Sequence, residues 1–245
     1  MQHIEFHLFR VKFIRPGQTS ILHDSRTAAE VFKDSIAEKP SMIFKENHIW
    51  HIGNNETFDD NSGAFALGRT TKTTLPKYDK DSKNFTEELF EDSPYTFCVY
   101  DLSVGFVAVA KKHKLSPDVM GIARKLKVVL ENSRPVQINE IRVVIDPISD
   151  PDGFILKLKS AYAIKKFTAH FTGPNPVDAD ALFQKPISVY CQATNGEKGK
   201  VEVEGQSLND ETLVAVTYST AASGNEATAK IVESPGQAPK NIHLR

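Results

Sequence analysis

His3, Glu5 and His7 stand two apart near the start of the chain, a spacing that puts all three side chains on one face of a strand. Imidazole and carboxylate gathered this way could hold Zn²⁺ or Mn²⁺. The polar face of a terminal strand accounts for the same residues, and neither a metal nor another cofactor is expected. His48 and His51 are three apart, which sets them on opposite faces of a strand. Asp146, Asp150, Asp152 and Gly153 suggest a calcium loop, but the spacing fails. With Gly153 as the sixth residue, Ile148 and Lys159 would fall where Asp and Glu are required. Asp150 suits a helix cap instead.

A nuclease built on two carboxylates and a lysine has a short motif, and the nearest match runs from Pro117-Asp118 to Glu140-Ile141-Arg142. There Asp118 falls in the first turn of a helix rather than at a strand end, and Arg142 replaces the lysine. No nucleophile elbow, phosphate-binding glycine loop or zinc-protease motif occurs. No catalytic residue is therefore assigned. Cys98 lies in an apolar stretch and reads as a core thiol.

The remaining chemistry is basic. Lys111, Lys112, His113 and Lys114 precede a strong helix pattern that carries Arg124, Lys125 and Lys127, and Lys157, Lys159, Lys165 and Lys166 follow. Residues 111–170 hold 12 basic and 6 acidic side chains, against 12 and 16 in residues 1–110 and 6 and 9 in residues 171–245. A cationic centre between acidic flanks can attract a phosphate backbone, whose binding needs charge and no motif. Lysines on the wet faces of helices would produce the same pattern. The candidate nucleic-acid contacts are Lys111, Lys112, Lys114, Arg124, Lys125, Lys127, Lys165 and Lys166.

The 245 residues, 40% apolar and 25% charged with net charge −1, suit an ordinary globular protein. Two cysteines, Cys98 and Cys191, build no disulfide scaffold, which fits a reducing compartment. No apolar run approaches the roughly 18 residues of a membrane span. The opening Met1-Gln2-His3-Ile4-Glu5 lacks a basic region followed by an apolar stretch, so no signal peptide is expected. The expected location is the cytoplasm, with no membrane partner.

The elements that must position these residues follow from periodicity. His3–Ile14 reads as a strand with a one-residue phase slip between Leu8 and Phe9. Thr27-x-x-Glu30 is a capping box for a helix to about Lys39. Met42–Phe44 and Ile49–Ile52 form a hairpin about Glu46-Asn47. From Gly53 to Pro94 the pattern decays into a long irregular connection, with Thr70–Thr74 as an edge strand at most. Phe97–Ala110 gives two short buried strands hinged near Asp101–Gly105. Ser116 is expected to cap the next helix, whose stripe is Val119, Ile122, Ala123, Leu126, Val129 and Leu130. Alternating strands and short helices continue to Leu244, residues 178–193 staying ambiguous between a strand and a helix broken at Pro186.

The expected class is α+β: mainly antiparallel sheets with short helices on one face, of which ferredoxin-like split βαβ units are one form. Residues 1–94 form a strand, helix and hairpin region and residues 95–245 an α+β region, an order equally compatible with one compact domain. The aromatic strand Phe6–Phe13, the Ile49-Trp50 strand, the Phe97–Ala110 block and the closing helix with Gly224-Asn225 give the chain a further likeness. In outline it resembles uncharacterised bacterial families found beside phage-defence and mobile-element genes. That resemblance implies an accessory or effector protein and carries over no catalytic residue. The expected function is a non-enzymatic binding subunit with a protein partner and with nucleic acid as a candidate second partner. The alternatives are a metal-dependent nuclease or hydrolase, and a purely structural interaction subunit.

Overall fold

The computed structural model describes residues 3–14, 26–45, 48–172, 183–194, 196 and 198–244. In chain order the elements are β1 (Phe6–Ile14), α1 (Ala28–Ala37), β2 (Ser41–Lys45), β3 (His48–Thr57), β4 (Ser62–Asp79), β5 (Asn84–Asp92), β6 (Tyr95–Asp101) and β7 (Phe106–Ala110). They continue as α2 (Val119–Glu131), α3 (Arg134–Ile138), β8 (Arg142–Pro147), α4 (Asp152–Ser160), β9 (Ala163–Thr172), α5 (Gln184–Ala193), β10 (Lys198–Glu204), α6 (Asp210–Ala222), β11 (Ala227–Val232) and β12 (Lys240–His243). The class is mixed, with antiparallel sheets, as the alternating strands require. Among the described residues no helix is long and apolar enough to cross a membrane.

The chain divides into two compact units. The first comprises residues 1–7, 24–103 and 107–143. Its strands lie in the order β2-β3-β4-β6-β7, and β5 pairs with β4. Thr27 caps α1 as its sequence demands: its hydroxyl accepts from the Glu30 N–H, and the Glu30 carboxylate accepts from the Thr27 N–H. Val31, Phe32 and Ile36 are then buried, and the Phe32 ring meets Tyr100 at 5.2 Å. The α2 stripe is buried at all six expected positions. The cap is Asp118 rather than Ser116, because the Asp118 carboxylate reaches the Gly121 N–H. Strands β2 and β3 pair as expected, while the turn at Glu46-Asn47 lies outside the described residues.

The expectation of an irregular stretch from Gly53 to Pro94 is overturned. Strand β3 runs on to Thr57, β4 occupies 18 residues, and β5 pairs with it from Thr71↔Asp92 to Asp79↔Asn84. From Lys72 to Tyr78 of β4 and throughout β5 every side chain is exposed, so burial leaves no imprint there, whereas Phe65 and Leu67 earlier in β4 are buried. Periodicity signals a strand only where one face is dry.

The second unit comprises residues 8–23, 104–106 and 144–245. Its sheet has the order β10-β9-β11-β12. Because β10 and β11 both run antiparallel to β9, they are parallel to each other, with β9 between them and α6 joining them along the chain. Phe154 and Leu158 of α4 and Leu213 and Ala221 of α6 pack on Phe167, Ala229 and Ile242 of the sheet. Pro186 does not break α5; it falls in the first turn, where a missing N–H goes unmissed. Residues 178–182 lie outside the described residues.

Strand β1 is covered on both sides in this unit. Phe9 and Val11 are buried, and so are the intervening cations Arg10 and Lys12. The Arg10 guanidinium donates to the carbonyls of Ala222 and Val104, so a cation closes the carbonyl end of α6. The Lys12 ammonium stands 3.4 Å from the Asp146 carboxylate and 3.5 Å from the Asn225 side-chain oxygen. Burial holds Lys12 below the ordinary lysine range, while Asp146 pulls the other way. Gly224 ends α6 at φ +66°, and a Cβ there would lie 2.9 Å from that of Asp146.

Candidate nucleic-acid interface

Strand β6 alternates in an unexpected phase. Thr96, Cys98 and Tyr100 point into the core, which leaves Tyr95 and Phe97 exposed at 48% and 47%. The expectation that Phe97 is buried is thereby corrected. Both phases of Tyr95–Tyr100 are apolar, so alternation alone could not choose between them. Small residues on β4 stand opposite the two rings, Gly68 across from Tyr95 and Ala66 across from Phe97. A Cβ on Gly68 would come within 2.8 Å of the Tyr95 Cβ, so only glycine lets the strands approach here. The rings meet edge to face with centroids 5.5 Å apart.

Strand β7 lies beside β6, fixed in part by the Thr96 hydroxyl, which donates to the Ala110 carbonyl at 2.7 Å. The chain then leaves the sheet through Lys111–Lys114. The N–H groups of Leu115 and Ser116 both donate to the Lys112 carbonyl, forming a turn, and buried Leu115 anchors it. Arg69 steadies the same turn by donating to the Lys114 carbonyl at 3.0 Å. Lys112, His113 and Lys114 are left exposed.

The turn and the strand enclose a cleft of about 610 Å³, lined among others by His3, Tyr95, Phe97, Lys112, His113 and Lys114. Lys111 also reaches it but is engaged, with its ammonium 3.1 Å from the Glu5 carboxylate. Glu5 also meets the His7 ring at 2.8 Å, and these two hydrogen bonds, Lys111 first, hold its carboxyl below the usual range. Among the described residues neither Lys112 nor Lys114 makes an ion pair, so their charge faces the cleft. Asp92 is the other acid on the lining.

The other basic candidates sit elsewhere. On α2, Arg124 is exposed, Lys125 lies 3.8 Å over the Phe44 ring, and Lys127 pairs with Glu131 at 3.5 Å. Burial, and then the charge of Lys45, lowers the Lys125 pKa. Lys165 and Lys166 belong to the second unit. Lys165 donates to the Gln206 carbonyl at 2.6 Å. Lys166 is clamped by Glu202 at 2.5 Å and Glu204 at 3.0 Å, which raises its pKa. Three of the eight candidates thus line one cleft with the rings of Tyr95 and Phe97, of which only Phe97 falls in a stretch expected to be buried.

Among the described residues no group of three or more His, Cys, Asp or Glu could hold a metal ion. Asp118, the first carboxylate of the nuclease-like match, is engaged as the α2 cap. The cap of α4 is Pro151 rather than Asp150, whose carboxylate accepts from the Asp152 N–H at 3.0 Å just ahead of the helix. No protein-family model matches the chain, and no curated protein matches it.

Proposed function

We propose that the protein is a non-enzymatic binding subunit that holds single-stranded nucleic acid in the β6–β7 cleft. The observation that carries this reading is the joint lining of the cleft by unpaired Lys112 and Lys114 and the exposed rings of Tyr95 and Phe97. Lysines contact the phosphate chain wherever it runs, and flat aromatic faces stack on unpaired bases of any sequence. Lys111 supports the site by tying the start of the turn to Glu5. The resemblance to bacterial families near phage-defence genes supports an accessory role with a protein partner. Two buried thiols unpaired with each other, Cys98 and Cys191, suit a cytoplasmic setting. The split β10–α6–β11 arrangement supports a ferredoxin-like kinship for the second unit.

The test is binding of the full chain to labelled single-stranded and duplex oligonucleotides, compared with Lys112→Glu/Lys114→Glu. Preference for the single strand, lost in the variant at an unchanged melting temperature, is expected. Equal binding by both proteins would sink the proposal. Arg124→Glu, made in parallel, tests whether α2 takes part.

A further inference from the structure

Beyond Thr71, β4 has only one neighbour, β5, and β5 pairs with no other strand among the described residues. The two form a ribbon of nine residue pairs, about 27 Å long at 3.4 Å per residue, exposed on both faces. Two-stranded ribbons are marginal in water without a third strand or a cover. This one nevertheless carries Leu75, Tyr78, Phe85, Leu89 and Phe90 in solvent, Phe85 at 80% exposure.

Its two edges differ. Pro76 pairs with Glu87 inside an unbroken register, and proline has no N–H to donate. The Pro76 nitrogen must therefore face the outer edge of β4, which lacks a donor there and is a poor template for another strand. Pairs in an antiparallel ladder alternate, so the N–H groups of Phe85, Glu87, Leu89 and Glu91 point away from β4. This outer edge of β5 has no proline and every donor in place.

Charge then selects what can join it. Between Asn84 and Asp92 the strand carries Glu87, Glu88, Glu91 and Asp92 and no cation, and of these acids Glu88 meets Lys77 of β4 at 2.8 Å. A second copy of β5 laid antiparallel about its centre would set Glu88 against Glu88, and a second copy of β4 is barred by Pro76. A basic strand meets neither obstacle. From residue 92 back to 85 the edge reads acid, acid, apolar, apolar, acid, acid, polar, apolar. Directly opposed side chains share a face, so the best complement carries two basic, two apolar, two basic, one polar and one apolar residue in turn.

We infer that the outer edge of β5 is a docking site for an extended basic segment of a partner protein, which adds as a third strand with that paired pattern. The inference does not rest on the nucleic-acid cleft, with which the edge shares only Asp92. Strand addition takes its affinity from main-chain hydrogen bonds and its selectivity from the alternating side chains.

The probe is the peptide Lys-Lys-Val-Val-Lys-Lys-Thr-Val and its reversed sequence, titrated against the full chain. The control, Lys-Val-Lys-Val-Lys-Thr-Lys-Val, has the same composition with all its lysines but the pattern removed. One of the paired peptides is expected to bind at least about tenfold tighter than the control, since misplaced charges are strongly penalised. Leu89→Pro, which removes one outward donor as Pro76 does on the other edge, should abolish that preference. Glu87→Lys/Glu91→Lys should do the same without touching the backbone. Equal binding of paired and control peptides would overturn the proposal by reducing the effect to bulk charge. So would peptide-free dimerisation that Leu89→Pro abolishes, which would assign the edge to a second copy.

Discussion

Tyr95 and Phe97 stand two residues apart on β6 with ring centroids 5.5 Å apart and planes at 88°, both in solvent beside a basic turn. Large rings left exposed next to unpaired lysines are costly surface for a protein with no use for them. Stacking against bases contributes about 1–3 kcal/mol each when a ring is removed. Tyr95→Ala and Phe97→Ala should each weaken binding of a labelled oligothymidine by roughly that amount, read by fluorescence anisotropy. Their thermal unfolding should stay close to that of the parent protein. Full affinity in the double variant would remove the rings from the site.

Lys12 gives a second prediction. With its side chain fully buried against Asp146, Lys12→Met should destabilise the second unit by about 3 kcal/mol. That is the low end for breaking a buried pair, because Asp146 keeps 29% of its side chain in water. The pH dependence supplies the sign. Burial sets the folded pKa below the unfolded value of about 10.4. Between the two values the unfolded chain binds a proton that the folded chain does not, so this group makes stability rise with pH there. Denaturation midpoints measured from pH 8 to 10.5 should show that contribution in the parent protein and lose it in Lys12→Met. Identical pH slopes would contradict the assignment.

Gly224→Ala should cost about 1–2 kcal/mol from its left-handed backbone alone. The added methyl also presses on the Cβ atoms of Asp146 and Arg10, at 2.9 and 3.0 Å. Urea denaturation measures the loss, and an unchanged midpoint would mean that the end of α6 relaxes freely.

In the four-stranded sheet of the second unit, Lys166 lowers the pKa of Glu202. Its folded value lies below the unfolded value of about 4.3, so its stabilisation is present above that pH and lost as the pH falls through the folded value. Glu202→Gln should therefore flatten the fall in melting temperature between pH 5 and pH 3 slightly, as befits a solvent-exposed pair. A steeper fall would refute this reading.

What the sequence disclosed was whatever burial had stamped on it. The α2 stripe and the Thr27–Glu30 box were readable because each follows from one helix and its nearest neighbours. The β4–β5 ribbon was missed because it buries neither face, and its Thr-rich composition was the only trace. Arg10 and Lys12 alternate with Phe9, Val11 and Phe13, a pattern that carries no sign of their burial. Their partners, Ala222 and Asn225, lie more than 200 residues away along the chain, beyond any local pattern. In the cleft, Lys111, Lys112 and Lys114 stood out as a charge run. Tyr95 and Phe97 did not, since the neighbouring Cys98 and Tyr100 offered an equally apolar alternative.

The most direct measurement is the salt dependence of oligothymidine binding by the parent protein and by Lys112→Glu/Lys114→Glu. Each phosphate contact contributes about −0.7 to the slope of log affinity against log salt for a single strand. The parent protein should bind at low salt with a steep slope, and the variant should lose at least about 1.4 from it through the two lysines. No binding at low salt, or the same slope in both proteins, would make these lysines a solvated surface and contradict the assignment of the cleft.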